Sequence, residues 1–170
     1  MTLRIQDNRG YKQIMNLIPR DSTILDLGCG CGNPFKGIKF PLLVGVDIFR
    51  KKFDMPEYDT VIFYDVNKID ELFPEKSFDI VTGIDFIEHL KKEEGFEIIK
   101  KAEKIARKKV IFFTPRKWSE NKRAVEDSHY WSYGNPANYH QSLWNDEDFI
   151  KQGYEIVPFQ GYVLAQKEIK

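Results

Sequence analysis

Five short apolar runs divide the first two-thirds of the chain and predict five β-strands. The runs are nearly continuous rather than alternating, which is typical of strands that are covered on both faces of a sheet. The predicted strands are Thr23–Leu27, residues 42–48, residues 60–64, Phe78–Ile84 and residues 110–114.

Amphipathic segments lie around these runs and predict helices. The best of them covers residues 92–107, where apolar side chains recur at helical spacing and lysines and glutamates take the other side. An N-terminal helix is predicted within residues 1–20, ending at Pro19, and a short one over residues 146–152 with Asn145 as its cap. Two last strands, residues 155–159 and 162–166, follow as a hairpin.

This order of elements predicts an α/β fold in a single domain over residues 1–170. Strands that alternate with crossovers form a doubly wound, Rossmann-like sheet, mostly parallel, to which the C-terminal hairpin adds one antiparallel strand. Ligands of such sheets bind beyond the carboxyl ends of the strands. We therefore expect the loops after the first five strands to share one crevice.

Composition limits the possible partners. The chain has 170 residues with 42% hydrophobic content, enough for one core, and 26 basic residues balance 26 acidic ones. Such a balance favours neither nucleic acid nor a membrane surface. No apolar run approaches the ~20 residues that cross a bilayer, and the first residues lack a signal-peptide pattern. We expect a cytoplasmic protein with no membrane partner; its oligomeric state is not predicted.

The stretch ILDLGCGCGNP, residues 24–34, places three glycines at alternate positions directly after the first strand. A dinucleotide fingerprint would need its third glycine at position 33, which is Asn33. The segment that follows is also a poor helix, and a pyrophosphate needs a helix N-terminus. Cys29 and Cys31 have neither zinc spacing nor further ligands nearby, so we expect no metal.

Four aspartates mark the ends of four successive predicted strands: Asp26, Asp47, Asp65 and Asp85. One aspartate after a strand is common in turns, but four that open on one crevice suit a particular ligand. Carboxylates accept from ribose hydroxyls and stabilise positive charge, whereas they repel phosphates. The predicted ligand is therefore a cationic nucleoside.

These segments resemble the class I S-adenosylmethionine-dependent methyltransferases. The matching elements are DLGCGCG, VGVDI, FYDVNK and FDIVTGIDFIEHL, in the family's order, and the resemblance runs over about residues 23–166. It is greatest to the broad group that methylates small molecules and carries an EHL-like segment after the fourth strand. The resemblance implies an enzyme with S-adenosylmethionine as its cofactor.

The resemblance also implies roles for single residues. The glycines let the backbone approach the methionine and ribose parts of the cofactor, and Asp26 orients the methionine ammonium. Asp47 takes the ribose hydroxyls, and Asp65 accepts from the adenine amino group. The complete predicted cofactor set is Asp26, Gly28, Cys29, Gly30, Gly32, Asp47, Ile48, Asp65, Val66, Ile84 and Asp85.

The methyl acceptor is expected on the side of residues 116–144, a segment long enough to suggest a functional loop. Transfer needs the acceptor, carbon and sulfur in line, and a base helps when the acceptor carries a proton. The candidate catalytic residues are His89, His129 and His140, and the candidate substrate-binding residues are Tyr130, Trp144 and His140. The aromatic side chains of the segment could instead cover the sheet.

The predicted function is methyl transfer to an oxygen or nitrogen of a small-molecule acceptor. Enzymes of this fold that methylate nucleic-acid amino groups usually carry a Pro-Pro motif after the fourth strand, where this chain has IDFIEH. A protein or RNA methyltransferase stays open, as does a non-catalytic S-adenosylmethionine-binding partner subunit. Asn33 disfavours a nicotinamide oxidoreductase.

Overall fold

Seven strands form one sheet in the order β3-β2-β1-β4-β5-β7-β6. This computed structural model describes residues 9–50 and 53–170, so the first eight residues of the predicted N-terminal helix lie outside the described residues. The strands are β1 (Thr23–Leu27), β2 (Leu42–Asp47), β3 (Thr60–Phe63), β4 (Phe78–Ile84), β5 (Ala106–Pro115), β6 (Glu155–Val157) and β7 (Tyr162–Glu168).

The helices are short apart from the one between β4 and β5. They are α1 (Arg9–Asn16), α2 (Ile69–Leu72), α3 (Lys92–Ile105), α4 (Lys122–Glu126) and α5 (Asp146–Ile150). Asn145 caps α5 as predicted, since its side chain accepts from the Asp148 N–H. Among the described residues, no helix is long and apolar enough to cross a membrane.

The predicted fold class is confirmed. Strands β1 to β5 pair in parallel, β7 pairs antiparallel with β5, and β6 pairs antiparallel with β7. One face of the sheet packs against α2, α3 and α5, and α1 packs on the other. All seven residues of β4 are buried, which explains its continuous apolar sequence.

Helix α3 ends two residues earlier than predicted, because Ala106 and Arg107 belong to β5. A bulge in β5 places Arg107 and Lys108 opposite Asp79 on β4. The Arg107 Nε and Lys108 Nζ atoms lie 3.2 and 3.1 Å from Asp79 Oδ1, and the Thr23 N–H donates to Asp79 Oδ2 over 2.9 Å. Burial raises the pKa of Asp79, but these partners outweigh burial and lower it well below its usual range. Asp79 thus joins the amino ends of β1, β4 and β5.

Trp144 explains a glycine near the N-terminus of α3. Its indole is fully buried, with ring centroids 5.1 Å from Phe96 and 5.3 Å from Phe149. A Cβ atom on Gly95 would collide with this indole. Glycine costs about 1 kcal/mol against alanine inside a helix, so close packing is the reason for its presence.

We expect Gly95→Ala to lower the free energy of unfolding by about 1–3 kcal/mol, because overpacking outweighs the gain in helix propensity. Urea denaturation measures the change. In a Trp144→Phe background the same substitution should cost less, since the smaller ring leaves room for the methyl group. A Gly95→Ala variant that is more stable than the native chain would contradict this packing.

Candidate functional site

The carboxyl ends of the central strands surround a cavity of about 290 Å³. Ten of the eleven predicted cofactor residues line it, Gly32 being the exception, and so does one predicted catalytic histidine. These lining residues are Asp26, Gly28, Cys29, Gly30, Asp47, Ile48, Asp65, Val66, Ile84, Asp85 and His89. The strand-end residues that the sequence singled out are therefore brought together.

Other lining residues were missed from the sequence. Asn67 directly follows two predicted residues and could have been found by extending that motif. Tyr11, Phe86, Leu90 and Glu94 gave no such signal. A last group comes from the long segment between β5 and α5: Trp131, Asn135, Ala137, Asn138 and Gln141.

The glycine loop after β1 needs glycine for its conformation and for space. Gly28, Gly30 and Gly32 have φ angles of 67°, 54° and 75°, in the left-handed region. A Cβ atom at Gly28 would collide with the Phe86 ring, and one at Gly30 would lie 2.8 Å from Trp131. Gly32 is different, because its missing Cβ faces Met55 and Tyr58 rather than the cavity. Gly32 shapes the turn and does not line the cavity.

Asp26 is the buried carboxyl at the centre of the site. Its Oδ2 accepts from the Tyr58 hydroxyl and its Oδ1 from the Thr82 hydroxyl, both over 2.7 Å. Burial raises the pKa of Asp26 to about 7, the two hydrogen bonds oppose this shift, and Asp47 adds to it. Gly45 pairs with Asp26 on β2, and a Cβ there would lie 2.9 Å from the Tyr58 ring. The glycine therefore lets Tyr58 reach Asp26.

Backbone N–H groups orient the next two aspartates. Asp47 accepts from the Gly30 N–H over 2.9 Å and from the Phe49 N–H over 2.8 Å, and Asp65 accepts from the Asn67 N–H over 2.9 Å. Burial raises the pKa of Asp47, and its backbone donors oppose that shift. A carboxylate oxygen has two lone pairs, so each group can accept further donors from a ligand in the cavity.

Two further carboxyls follow β4, of which Asp85 is half-buried and Glu88 is buried. Asp85 has a left-handed φ of 48° and accepts from the Tyr11 hydroxyl over 3.2 Å. Glu88, which the sequence analysis did not select, is 2% exposed and accepts from the Thr114 hydroxyl over 2.8 Å. Burial raises the pKa of both groups, and Glu88 raises that of Asp85 further.

Two of the candidate histidines, His89 and His140, lie together. Their ring centroids are 4.8 Å apart, and the rings are nearly perpendicular at 76°. Burial lowers the pKa of His89, and burial with the nearby His89 lowers that of His140 to about 4. Both imidazoles are therefore neutral at pH 7, with a nitrogen lone pair each.

Three of the predicted acceptor residues are placed elsewhere. Trp144 is fully buried in the core and does not line the cavity, because the space above Gly95 accommodates its indole. The His129 side chain is 76% exposed and bonds Asp127. Tyr130 is not a lining residue either, since its ring packs under Arg123.

A comparison with protein families matched residues 4–155 to a family described as "Methyltransferase domain". The chain belongs to this family. The prediction of a class I S-adenosylmethionine-dependent methyltransferase, an enzyme with S-adenosylmethionine as cofactor, is confirmed. No curated protein matched the chain.

Several solved structures are similar to this chain in fold. Magnesium protoporphyrin IX methyltransferase from Synechocystis, with bound S-adenosylhomocysteine, superposes with a TM-score of 0.65 at 16% identity, over 99% of this chain and 85% of that one. A possible histamine N-methyltransferase from Thermotoga maritima gives 0.63 at 15%, over 94% and 87%. A protein from Pyrococcus horikoshii gives 0.64 at 19%, over 100% and 94%.

The residues of this methyltransferase fit the cofactor. Gly28 and Gly30 give the loop the left-handed turns with which it lines the cavity, and the carboxylates of Asp47 and Asp65 have lone pairs for further donors. When bound, S-adenosylmethionine supplies an activated methyl group on a sulfonium, whose positive charge nearby carboxylates stabilise.

The Tyr58→Phe variant tests the environment of Asp26. Removing the hydroxyl leaves ionised Asp26 with one donor fewer, so the folded-state pKa rises further above its unfolded value of about 3.9. An acid with a raised folded-state pKa loses stability as pH rises through that pKa. The loss in free energy of unfolding, about 1–3 kcal/mol, should therefore be larger at about pH 8.5 than at about pH 5.

Urea denaturation at both pH values measures this difference. Tyr64→Phe is the matched control, because that hydroxyl bonds the exposed side chain of Glu71. Its effect should be small at both values. An equal loss at both pH values for Tyr58→Phe would show that Asp26 does not titrate as described.

Proposed function

We propose that this methyltransferase transfers the methyl group to an oxygen or nitrogen of a small-molecule acceptor. The observation that carries the proposal is the position of the segment 116–144. Trp131, Asn135 and Gln141 from this segment line the same cavity as the cofactor loops. An acceptor that reaches the methyl group must fit between them and the end of β4, which suits a small molecule better than a folded macromolecule.

The charge balance supports the same choice. Basic and acidic residues are equal in number, 26 each, and several basic residues of α3 and β5 are engaged in ion pairs within the fold. Lys101 bonds Asp70, and Arg107 and Lys108 bond Asp79. We also propose that residues 1–170 act as one domain in the cytoplasm.

Different residues bind the ribose, adenine and methionine parts of the cofactor. Asp47, held by the Gly30 N–H, accepts from the two ribose hydroxyls. Asp65 accepts from the adenine amino group, with Val66 beside the ring. Asp26 orients the methionine ammonium, directly or through water, and its hydrogen bonds fix the carboxyl for that task.

The acceptor side is formed by the end of β4 and the segment that covers it. Ile84 and Asp85 line the wall next to the methionine end of the cofactor. His89 lines the cavity directly, and His140 packs against it. Methyl transfer itself needs alignment and exclusion of water more than side-chain chemistry.

Calorimetry tests the cofactor side of the proposal. We expect S-adenosylhomocysteine to bind and NADH not to bind. Asp47→Ala should weaken S-adenosylhomocysteine binding at least 100-fold, since two hydrogen bonds to a charged group are worth about 3 kcal/mol. Asp70→Ala is the matched control: this aspartate lies outside the cavity in an exposed pair with Lys101. Tight NADH binding, or unchanged binding by Asp47→Ala, would refute these roles.

An acceptor assay tests the small-molecule assignment. The enzyme with methyl-labelled S-adenosylmethionine is incubated separately with metabolite, protein and RNA fractions. We expect label to enter the metabolite fraction alone. Label in protein or RNA would favour the corresponding alternative, and S-adenosylhomocysteine binding with no transfer to any fraction would favour a non-catalytic subunit.

A further inference from the structure

Three potential metal ligands converge beside the acceptor side of the cavity. Glu88, His89 and His140 each offer one ligand atom, and these atoms lie within 4.8 Å of one another. We propose that they form a binding site for a divalent transition-metal cation. The sequence predicted no metal, since Cys29 and Cys31 lack zinc spacing and further ligands nearby; the cluster described here consists of other residues, and His140 lies far along the chain from Glu88 and His89.

Backbone hydrogen bonds hold the cluster together. The N–H groups of Gln141 and Ser142 donate to the carbonyl oxygen of Glu88 over 2.8 and 3.1 Å. The Gln141 side-chain amide donates to the His89 carbonyl over 2.7 Å, and the Ser142 hydroxyl donates to the Leu90 carbonyl over 2.8 Å. The residues after β4 are thus fixed to residues 141–142, so His140 lies beside His89 because of the backbone arrangement.

Hydrogen bonds from neighbouring groups orient His89 and Glu88 as metal ligands require. The His89 Nδ1 atom lies 3.3 Å from the carbonyl oxygen of Tyr139, which can only accept, so Nδ1 carries the proton. Nε2 then has the free lone pair. The Thr114 hydroxyl donates to Glu88 and orients that carboxylate. Such second-shell bonds fix the tautomer and the direction of a ligand.

The side-chain partners of the two carboxyls at this place are hydroxyl donors and not cations. Among the described residues, no lysine or arginine pairs with Asp85 or Glu88, whose donors are the hydroxyls of Tyr11 and Thr114. Ionised carboxylates in such surroundings are unfavourable unless a cation or metal compensates them. A divalent cation between Glu88 and the two imidazoles would supply that compensation.

The ligand types indicate the class of metal. Two imidazoles with one carboxylate suit manganese, iron, cobalt or zinc, whereas calcium and magnesium prefer oxygen ligands throughout. Ligand atoms around such an ion are separated by roughly 3–4 Å, given metal–ligand bonds near 2.1 Å. Small side-chain rotations would bring the three atoms from their present separation to that range.

A cation with three protein ligands has open coordination positions, which another molecule can occupy. His89 lines the cavity, so these positions lie on the acceptor side. This step rests on the proposed function. The open coordination positions would bind the acceptor through a hydroxyl group, so we infer that the acceptor is a molecule with a hydroxyl group. The bound hydroxyl loses its proton to solvent at a lowered pKa. Its oxygen attacks the methyl carbon, the carbon–sulfur bond breaks, and the electron pair returns to sulfur.

Metal titration of the chelator-treated protein tests the site without an activity assay. Calorimetry with Mn²⁺ and Zn²⁺, and the visible absorption of Co²⁺, should each show one equivalent bound. His140→Ala should weaken binding at least 10-fold and abolish the absorption of protein-bound Co²⁺. His129→Ala is the matched control, because that histidine is exposed and outside the cluster; it should bind as the native chain does.

S-adenosylhomocysteine binding by the same proteins separates the two proposals. Unchanged binding by His140→Ala would show that its fold is intact, so its loss of metal would be local. No metal binding by the native protein, or undiminished binding by His140→Ala, would overturn the metal site and leave the cofactor assignment standing. Metal binding without S-adenosylhomocysteine binding would instead refute the proposed function.

Discussion

The hydrogen-bonded carboxyl of Asp26 is the constraint on which the rest of the site depends. It lies on β1, next to the central strand β4, with Thr82 as its register partner on β4 and the Tyr58 hydroxyl reaching it across Gly45. These bonds fix where β1 ends relative to its neighbours. The N–H of Gly28 then donates to the Val46 carbonyl over 2.8 Å, which starts the glycine loop at a defined place. Both the loop and the aspartates beside it follow from that register.

Local sequence was enough to predict most of the sheet and the cofactor side of the cavity. Burial on both faces leaves a continuous apolar run, so the bounds of β4 were predicted to the residue. Left-handed turns require glycines, and the strand ends at this site carry aspartates. Both patterns can be recognised from a few neighbouring residues of the sequence. The junction of α3 and β5 was predicted at the wrong residues. Arg107 and Lys108 pair with Asp79, which is distant in sequence, and this pairing places them in the strand.

The acceptor side could not be predicted in the same way, because tertiary contacts decide it. Trp144 was predicted to bind substrate because it is an aromatic residue of the long segment. Its indole lies in the core instead, because Gly95 has no side chain to occupy that space. Glu88 was not predicted to be a site residue, and it is buried beneath the segment whose N–H groups donate to its carbonyl oxygen. Neither fact has a signal in the neighbouring residues.

The two ends of the sheet carry charge in opposite ways. At the amino ends, Asp79 has two cationic partners and accepts two hydrogen bonds from Thr23, so its negative charge is balanced within the protein. At the carboxyl ends, the acidic groups accept hydrogen bonds from hydroxyl and backbone donors, and no lysine or arginine of the described residues pairs with Asp26, Asp47 or Asp85. The ion pairs at the amino ends need no ligand. Substitutions that alter acceptor selectivity can therefore accumulate around the cavity while the scaffold persists, and such divergence needs no change in the strands.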